Sequence, residues 1–143
     1  MVKMRIRIHE ECCIGCRLCE IMCIVKHSRS GKILKAFREE HPRPLPRVRV
    51  EEEGYTSFAL QCRHCEEAPC IENCMTGAMH REEGVVLCDE EKCVGCLMCV
   101  MSCPFGAVQR GSEKKAVSKC DLCGGKGTPP CVEYCPNEAL TYE

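Results

Sequence analysis

Apolar residues in this chain fall mostly into short alternating runs. Over residues 4–9, Met4, Ile6 and Ile8 alternate with Arg5, Arg7 and His9, the two-residue period of a half-buried strand. Residues 139–142 predict a matching strand at the other end of the chain. VRVEEEGYTSFAL, residues 48–60, and GAVQRGSEKKAVSK, residues 106–119, each read as a hairpin. A third hairpin has a strand over 78–81, a turn at Glu82, Glu83 and Gly84, and a return over 85–88. Helical spacing stands out in GKILKAFREE, where Ile33, Leu34 and Phe37 form one apolar stripe. HPRPLPR, directly after it, reads as extended polyproline-like chain. No stretch approaches the ~18 apolar residues of a membrane span.

These elements are too short, and aromatic residues too few, for a conventional interior. The 143 residues contain three Phe, three Tyr and no Trp, but eighteen Cys. Sixteen of the cysteines form four quartets. They are Cys13, Cys16, Cys19 and Cys23; Cys62, Cys65, Cys70 and Cys74; Cys93, Cys96, Cys99 and Cys103; and Cys120, Cys123, Cys131 and Cys135. The third quartet has the bacterial ferredoxin spacing C-x2-C-x2-C-x3-C-P, and the others keep its first and last gaps. Four such quartets predict four 4Fe–4S clusters. Inorganic cubes then replace much of the core, cluster binding becomes folding free energy, and the apo chain is expected to be largely unfolded.

Disulfides and zinc are the other common causes of dense cysteine. A disulfide scaffold needs an oxidising compartment. MVKMRIRIHEECC has neither an apolar signal core nor a twin arginine, so the expectation is a soluble, cytoplasmic protein. Structural zinc takes two separated pairs per tetrahedron. Here every third cysteine is followed by a fixed three-residue gap, which suits a helical turn that sends the fourth thiolate to a neighbouring cluster. Proline follows Cys103 and Cys135, whereas Ile24 and Met75 stand at the corresponding places in the other runs. The formal charge is −1. Thiolate ligation of four cubes would bring it to roughly −9, which gives no support for nucleic-acid binding.

Connector lengths predict which runs pair. The 78–88 hairpin between the second and third runs is the ordinary connector of an eight-iron ferredoxin, so these two form one module. The first and fourth runs then pair through the chain ends, whose predicted strands complete an outer module. The expected fold class is α+β, with the inner ferredoxin-like module nested within the outer. Residues 1–25 and 115–143 make the outer unit, 26–46 a basic insert, and 47–114 the inner unit with its flanking hairpins. A shift of 80 residues lays RIHEECCIGCRLCEIMC on LCDEEKCVGCLMCVMSC. Cys12 then falls on Lys92 and Cys88 on Ile8, so Cys13 is the ligand, Cys12 a spectator and Cys88 a small core hydrophobe. The insert is the stretch that does not fit this repeat. From Lys26 to Arg49 there are eight Lys or Arg and two Glu, a charge excess suited to steering an acidic redox partner. The blander reading is a solvated excursion whose stripe rests on the chain's own clusters.

Smaller signals carry less. His64, inside CRHC, is expected to hydrogen-bond near cluster sulfur and not to ligate. Met22, Met98 and Met101 flank ligand cysteines and are expected to sheathe the cubes. Gly15 and Gly95 stand where the backbone must fold tightly over a cube. No nucleophile–base pair or phosphate loop emerges, so no catalytic residue is expected.

With these runs, from RIHEECCIGCRLCE to CVEYCPNEAL, the chain resembles the four-cluster ferredoxin-like electron-transfer subunits of the dimethyl-sulfoxide-reductase type. It is similar in particular to the ferredoxin-like proteins associated with carbon monoxide dehydrogenase and with tungsten aldehyde oxidoreductase. The resemblance implies a pseudo-twofold pair of modules carrying a wire of clusters. It implies one cube on Cys13, Cys16, Cys19 and Cys135, and its neighbour on Cys120, Cys123, Cys131 and Cys23. In the inner module it implies one cube on Cys62, Cys65, Cys70 and Cys103, and the other on Cys93, Cys96, Cys99 and Cys74. The implied function is single-electron relay between a catalytic redox subunit and a second donor or acceptor, in anaerobic metabolism. Carbon monoxide dehydrogenase, aldehyde or formate oxidoreductase and hydrogenase are the partner types. A freely diffusing polyferredoxin is one alternative, and a zinc-based structural or nucleic-acid module is another.

Overall fold

A computed structural model describes residues 4–111, 116–125 and 127–143. The tip of the 106–119 hairpin and the expected boundary at 114/115 lie outside them. Helices and strands mix in a small α+β arrangement of the ferredoxin-like type. In chain order the elements are β1 (Ile6–Ile8), a 3-10 turn (Glu10–Cys12), α1 (Leu18–Lys26), α2 (Ile33–Arg38), β2 (Arg49–Glu53) and β3 (Thr56–Leu60). Next come α3 (Pro69–Glu72), β4 (Met79–Glu82), β5 (Val85–Cys88), α4 (Met98–Ser102), β6 (Gln109–Arg110), β7 (Val117–Ser118), α5 (Pro130–Glu133) and β8 (Leu140–Tyr142). Among the described residues no helix is long and apolar enough to cross a membrane.

Among the described residues four antiparallel two-stranded ladders form. β1 pairs with β8, from Ile6 opposite Tyr142 to Ile8 opposite Leu140. β2 pairs with β3, and β6 with β7. β4 pairs with β5 through a tight turn in which Glu83 and Gly84 both have positive φ, the geometry whose twist matches that of the strands. Short helices follow from their ends. α3 and α5 begin on Pro69 and Pro130, whose missing N–H groups would be unpaired in a first turn anyway. α1 and α4 start after left-handed residues, Arg17 and Leu97, which fall together in the 80-residue overlay.

Two apolar clusters lie under these ladders. Cys19, Cys23, Val48, Val50, Ala59, Cys131 and Leu140 pack together, with Ile6, Ile8 and Val132 against them. Ala68, Cys70, Met79, Val86, Cys99, Val108 and Val117 form the second cluster. α1 packs on α5 in the first group, and α3 on α4 in the second. Each long hairpin stays with the cysteine run that precedes it. The boundary expected at residue 47 would assign β2 and β3 to the inner unit, whereas Val48, Val50 and Ala59 pack with Cys19, Cys131 and Leu140.

The insert differs from its expected stripe. On α2, Ala36 is 0% exposed, whereas Leu34 is 71% exposed and Ile33 is also outward. A six-residue helix has less than two turns, so one small residue suffices to seat it against its neighbour α1. Residues 41–47 form neither helix nor strand and include a cis bond between His41 and Pro42. The expected methionine sheath also fails at its end: Met101 is 79% exposed and Met98 is exposed, because α4 turns that face outward.

Candidate metal centres

All four cysteine runs bend the chain in the same way. The residue directly before the second cysteine has positive φ in each: Gly15 at 70°, His64 at 47°, Gly95 at 74° and Leu122 at 55°. A left-handed residue there reverses the loop, so the flanking cysteines can point into a common space. Glycine adopts this conformation without steric cost, while His64 and Leu122 carry strain that their surroundings must hold. At Gly15 a Cβ would also lie 2.9 Å from Glu52 Oε1.

The loops and ladders draw cysteines into groups. A hollow is lined by Cys13, Cys16 and Cys19 of the first run and Cys135 of the fourth. A second is lined by Cys120, Cys123 and Cys131 with Cys23. A third gathers Cys93, Cys96 and Cys99 with Cys74. Cys62, Cys65, Cys70 and Cys103 also come together, since Cys65 and Cys103 pack on the cluster holding Cys70 and the Cys70 thiol feels both Cys62 and Cys103. Cys12 lies on the wall of the first hollow and Cys88 on that of the third, so both are neighbours of quartets. Cys88 is half-buried and packs against the second apolar cluster.

The donor set fits iron–sulfur cubes. Each group offers four thiols and an apolar wall, with backbone N–H groups aimed at sulfur. Arg47 N–H donates to Cys23 Sγ at 3.2 Å, Ala139 N–H to Cys135 Sγ at 3.3 Å and Met79 N–H to Cys74 Sγ at 3.4 Å. Such bonds stabilise negative charge on sulfur. Burial dominates the thiols themselves. It pushes Cys19 and Cys120 up to about 12 and Cys99 and Cys123 up to about 11, and it raises Cys23, Cys70 and Cys131. At Cys74 the same burial is outweighed by hydrogen bonds from Met79 and Thr76, leaving that thiol below its usual value.

Three polar side chains buried beside these groups complete the picture. His64 is expected from sequence to sit near cluster sulfur; its backbone N–H reaches Cys62 Sγ at 3.4 Å, and its ring Nδ1 accepts from Val86 N–H at 3.0 Å. Burial, reinforced by the Lys119 charge, holds that imidazole down at about 3, so it is neutral. Gln61 and Lys119 carry no motif signal and were not among the expected site residues. The available signal is the strand period: Ser57, Ala59 and Gln61 alternate inward along one return strand, and Val117 and Lys119 along the other. At the edge of the second hollow, Arg47 pairs with Asp121 at 3.2 Å and donates to Lys119 O at 3.2 Å, which pins the end of the insert beside Cys23.

Residues 54–143 match the 4Fe-4S dicluster domain family. Electron transport protein HydN of Escherichia coli (strain K12) is 38% identical over 144 residues, covering 90% of this chain and 81% of HydN. Thiosulfate reductase electron transfer subunit PhsB of Salmonella typhi is 32% identical over 150 residues, covering 96% of this chain and 74% of PhsB. Among solved structures, the active site complex BamBC of benzoyl coenzyme A reductase contains a chain that aligns with 98% of this one. The TM-score is 0.53, 76% of that chain is covered and identity is 22%, a likeness of fold.

Proposed function

The chain belongs to the 4Fe-4S dicluster domain family of iron–sulfur electron-transfer proteins, and from that premise we propose that it relays single electrons through four 4Fe–4S clusters as the non-catalytic subunit of an oxidoreductase. The observation that carries this reading is the convergence of Cys13, Cys16 and Cys19 on Cys135, drawn together from opposite ends of the chain by the β1–β8 ladder. The ligand sets are Cys13, Cys16, Cys19 and Cys135; Cys120, Cys123, Cys131 and Cys23; Cys62, Cys65, Cys70 and Cys103; and Cys93, Cys96, Cys99 and Cys74. Each set takes three thiolates from one run and the last from its partner, the exchange that ties two cubes into one ferredoxin module. A module of the first and fourth runs then encloses one of the second and third, and the two apolar clusters support that division.

When bound, each cube supplies a one-electron couple. The chain's own residues do the rest. Thiolates hold the iron, N–H groups from Arg47, Met79 and Ala139 meet the added charge on sulfur, and buried alkyl groups keep water out. No nucleophile or acid–base pair is needed, because bond chemistry belongs to the partner. For that partner we assign the basic insert as the docking face, with exposed Ile33 and Leu34 beside Lys32, Lys35 and Arg38 suited to an acidic surface on a catalytic subunit.

Anaerobic loading followed by iron and sulfide analysis tests the function. The expected result is about sixteen irons per chain and a visible absorbance that bleaches with dithionite. About eight irons would overturn the four-cluster reading, and a colourless zinc protein would overturn electron transfer altogether. Deleting residues 28–45 tests the docking face. Electron transfer to a co-purifying partner should slow and lose its salt dependence, while unchanged rates across ionic strength would sink it.

A further inference from the structure

We propose that Lys119 and Gln61 act as internal electrostatic donors at the junction between the Cys62–Cys65–Cys70–Cys103 group and the Cys23–Cys120–Cys123–Cys131 group, and that they make these two sites easier to reduce than apolar hollows would. The inference rests on the cluster assignment above and concerns residues with no ligand role in it.

Both side chains occupy matching places. Gln61 directly precedes the first cysteine of the second run, and Lys119 directly precedes that of the fourth. Each stands one residue past the return strand of a long hairpin, and continuation of the strand period turns each inward: Gln61 is 1% exposed and Lys119 is 3% exposed. Interior positions of this kind ordinarily carry apolar residues, and a buried polar group without a partner is destabilising. The Gln61 amide is such a group, since neither its oxygen nor its nitrogen has a hydrogen-bond partner among the described residues. It lies on the wall of the hollow formed by Cys23, Cys120, Cys123 and Cys131. An amide N–H there has sulfur as its natural acceptor once the hollow holds a cube.

Lys119 reaches the other way. Its ammonium donates to Val86 O, on the strand β5 that lies among the second and third runs, and to Cys120 O at 2.9 Å. Both acceptors are neutral, so these bonds solvate the ammonium without cancelling its charge. Cys120 adjoins Lys119 in the chain, and Val86 packs in one apolar cluster with Cys70, so the ammonium stands between the two groups. Val86 joins the set from its other side. Its N–H donates to His64 Nδ1, which leaves the ring proton on Nε2, a buried atom without a partner among the described residues. A cation and N–H groups thus meet between two thiolate groups, in an interior where charges act more strongly than in water.

Reduction adds one negative charge to a cube. A fixed positive charge and aimed N–H groups favour that state, whereas an apolar wall opposes it. The junction where electrons pass between the two halves is therefore also where they are best stabilised.

Four whole-chain proteins loaded anaerobically test this: wild type, Lys119→Met, Lys119→Arg and Gln61→Leu. Iron and sulfide content is measured first, then the midpoint potentials by redox titration followed with electron paramagnetic resonance. Lys119→Met is expected to keep its iron and to make reduction of two clusters at least tenfold less favourable, a shift of about 59 mV downward for a one-electron couple. Lys119→Arg should keep the wild-type values, and Gln61→Leu should lower one midpoint by a smaller amount. Full iron content with unchanged midpoints in Lys119→Met and Gln61→Leu would overturn the proposal. If Lys119→Met loses iron, Gln61→Leu decides: a lowered midpoint supports the proposal and an unchanged one overturns it. A wild-type chain that binds no iron would instead overturn the cluster assignment beneath it.

Discussion

Ile8 lies directly opposite Leu140 in the β1–β8 ladder, although 131 residues separate them in the chain. The register continues outward through the His9 N–H bond to Ala139 O at 2.7 Å, which delivers the first cysteine run to the last. Leu140 is buried among Cys19, Cys23 and Cys131. Leu140→Ala should cost about 2–5 kcal/mol in stability. Iron release to a chelator, followed with time, should accelerate most for the clusters held by the first and fourth runs.

Cysteine replacements separate ligands from neighbours. Cys135→Ser and Cys74→Ser each remove one thiolate from a different group and should each lower iron content by about one cube, roughly four irons. Cys88→Ser and Cys12→Ser should leave iron content unchanged, although both residues line hollows. Loss of a full cube from Cys88→Ser would make that residue a ligand.

Gly15→Ala tests the left-handed bend. An L-residue at this φ costs about 1–2 kcal/mol, and the new Cβ meets Glu52 Oε1 at 2.9 Å. The variant should melt at a lower temperature than wild type when both are fully loaded. Glu52→Ala in the same background should recover little, because the Glu52 carboxylate ends a flexible side chain that can swing aside while the backbone cost stays.

Buried thiols predict a proton count. In the cluster-free fold, burial raises Cys19 and Cys120 from 9.0 to about 12, so both are protonated at neutral pH. A raised thiol favours the fold below about pH 9 and loses that contribution as pH climbs toward 12, because the unfolded chain ionises first. Ligation needs thiolates, so loading must release protons, and stripping iron must return them. Titration in weakly buffered solution should show acid release on loading. Circular dichroism should show loss of fold when a chelator removes the iron at pH 7.

Local pattern carried much of the architecture. The 85–88 strand, its turn and the two long hairpins follow from period-two alternation and turn residues, which depend on near neighbours alone. Gly15 and Gly95 are legible as bends for the same reason, whereas His64 and Leu122, equally bent, are masked by ordinary side chains. The buried face of the insert is not legible in the sequence, because a six-residue helix is seated by one buried contact, Ala36, and three apolar residues at helical spacing do not indicate which face a neighbour covers.

From sequence alone come the chemistry and the number of cysteine runs, because thiol spacing is covalent and local. Tertiary structure decided which hairpin packs with which run, where Cys12 and Cys88 stand, and that Gln61 and Lys119 point inward. Those facts depend on contacts between distant segments and on the desolvation of polar groups, which no stretch of sequence encodes by itself.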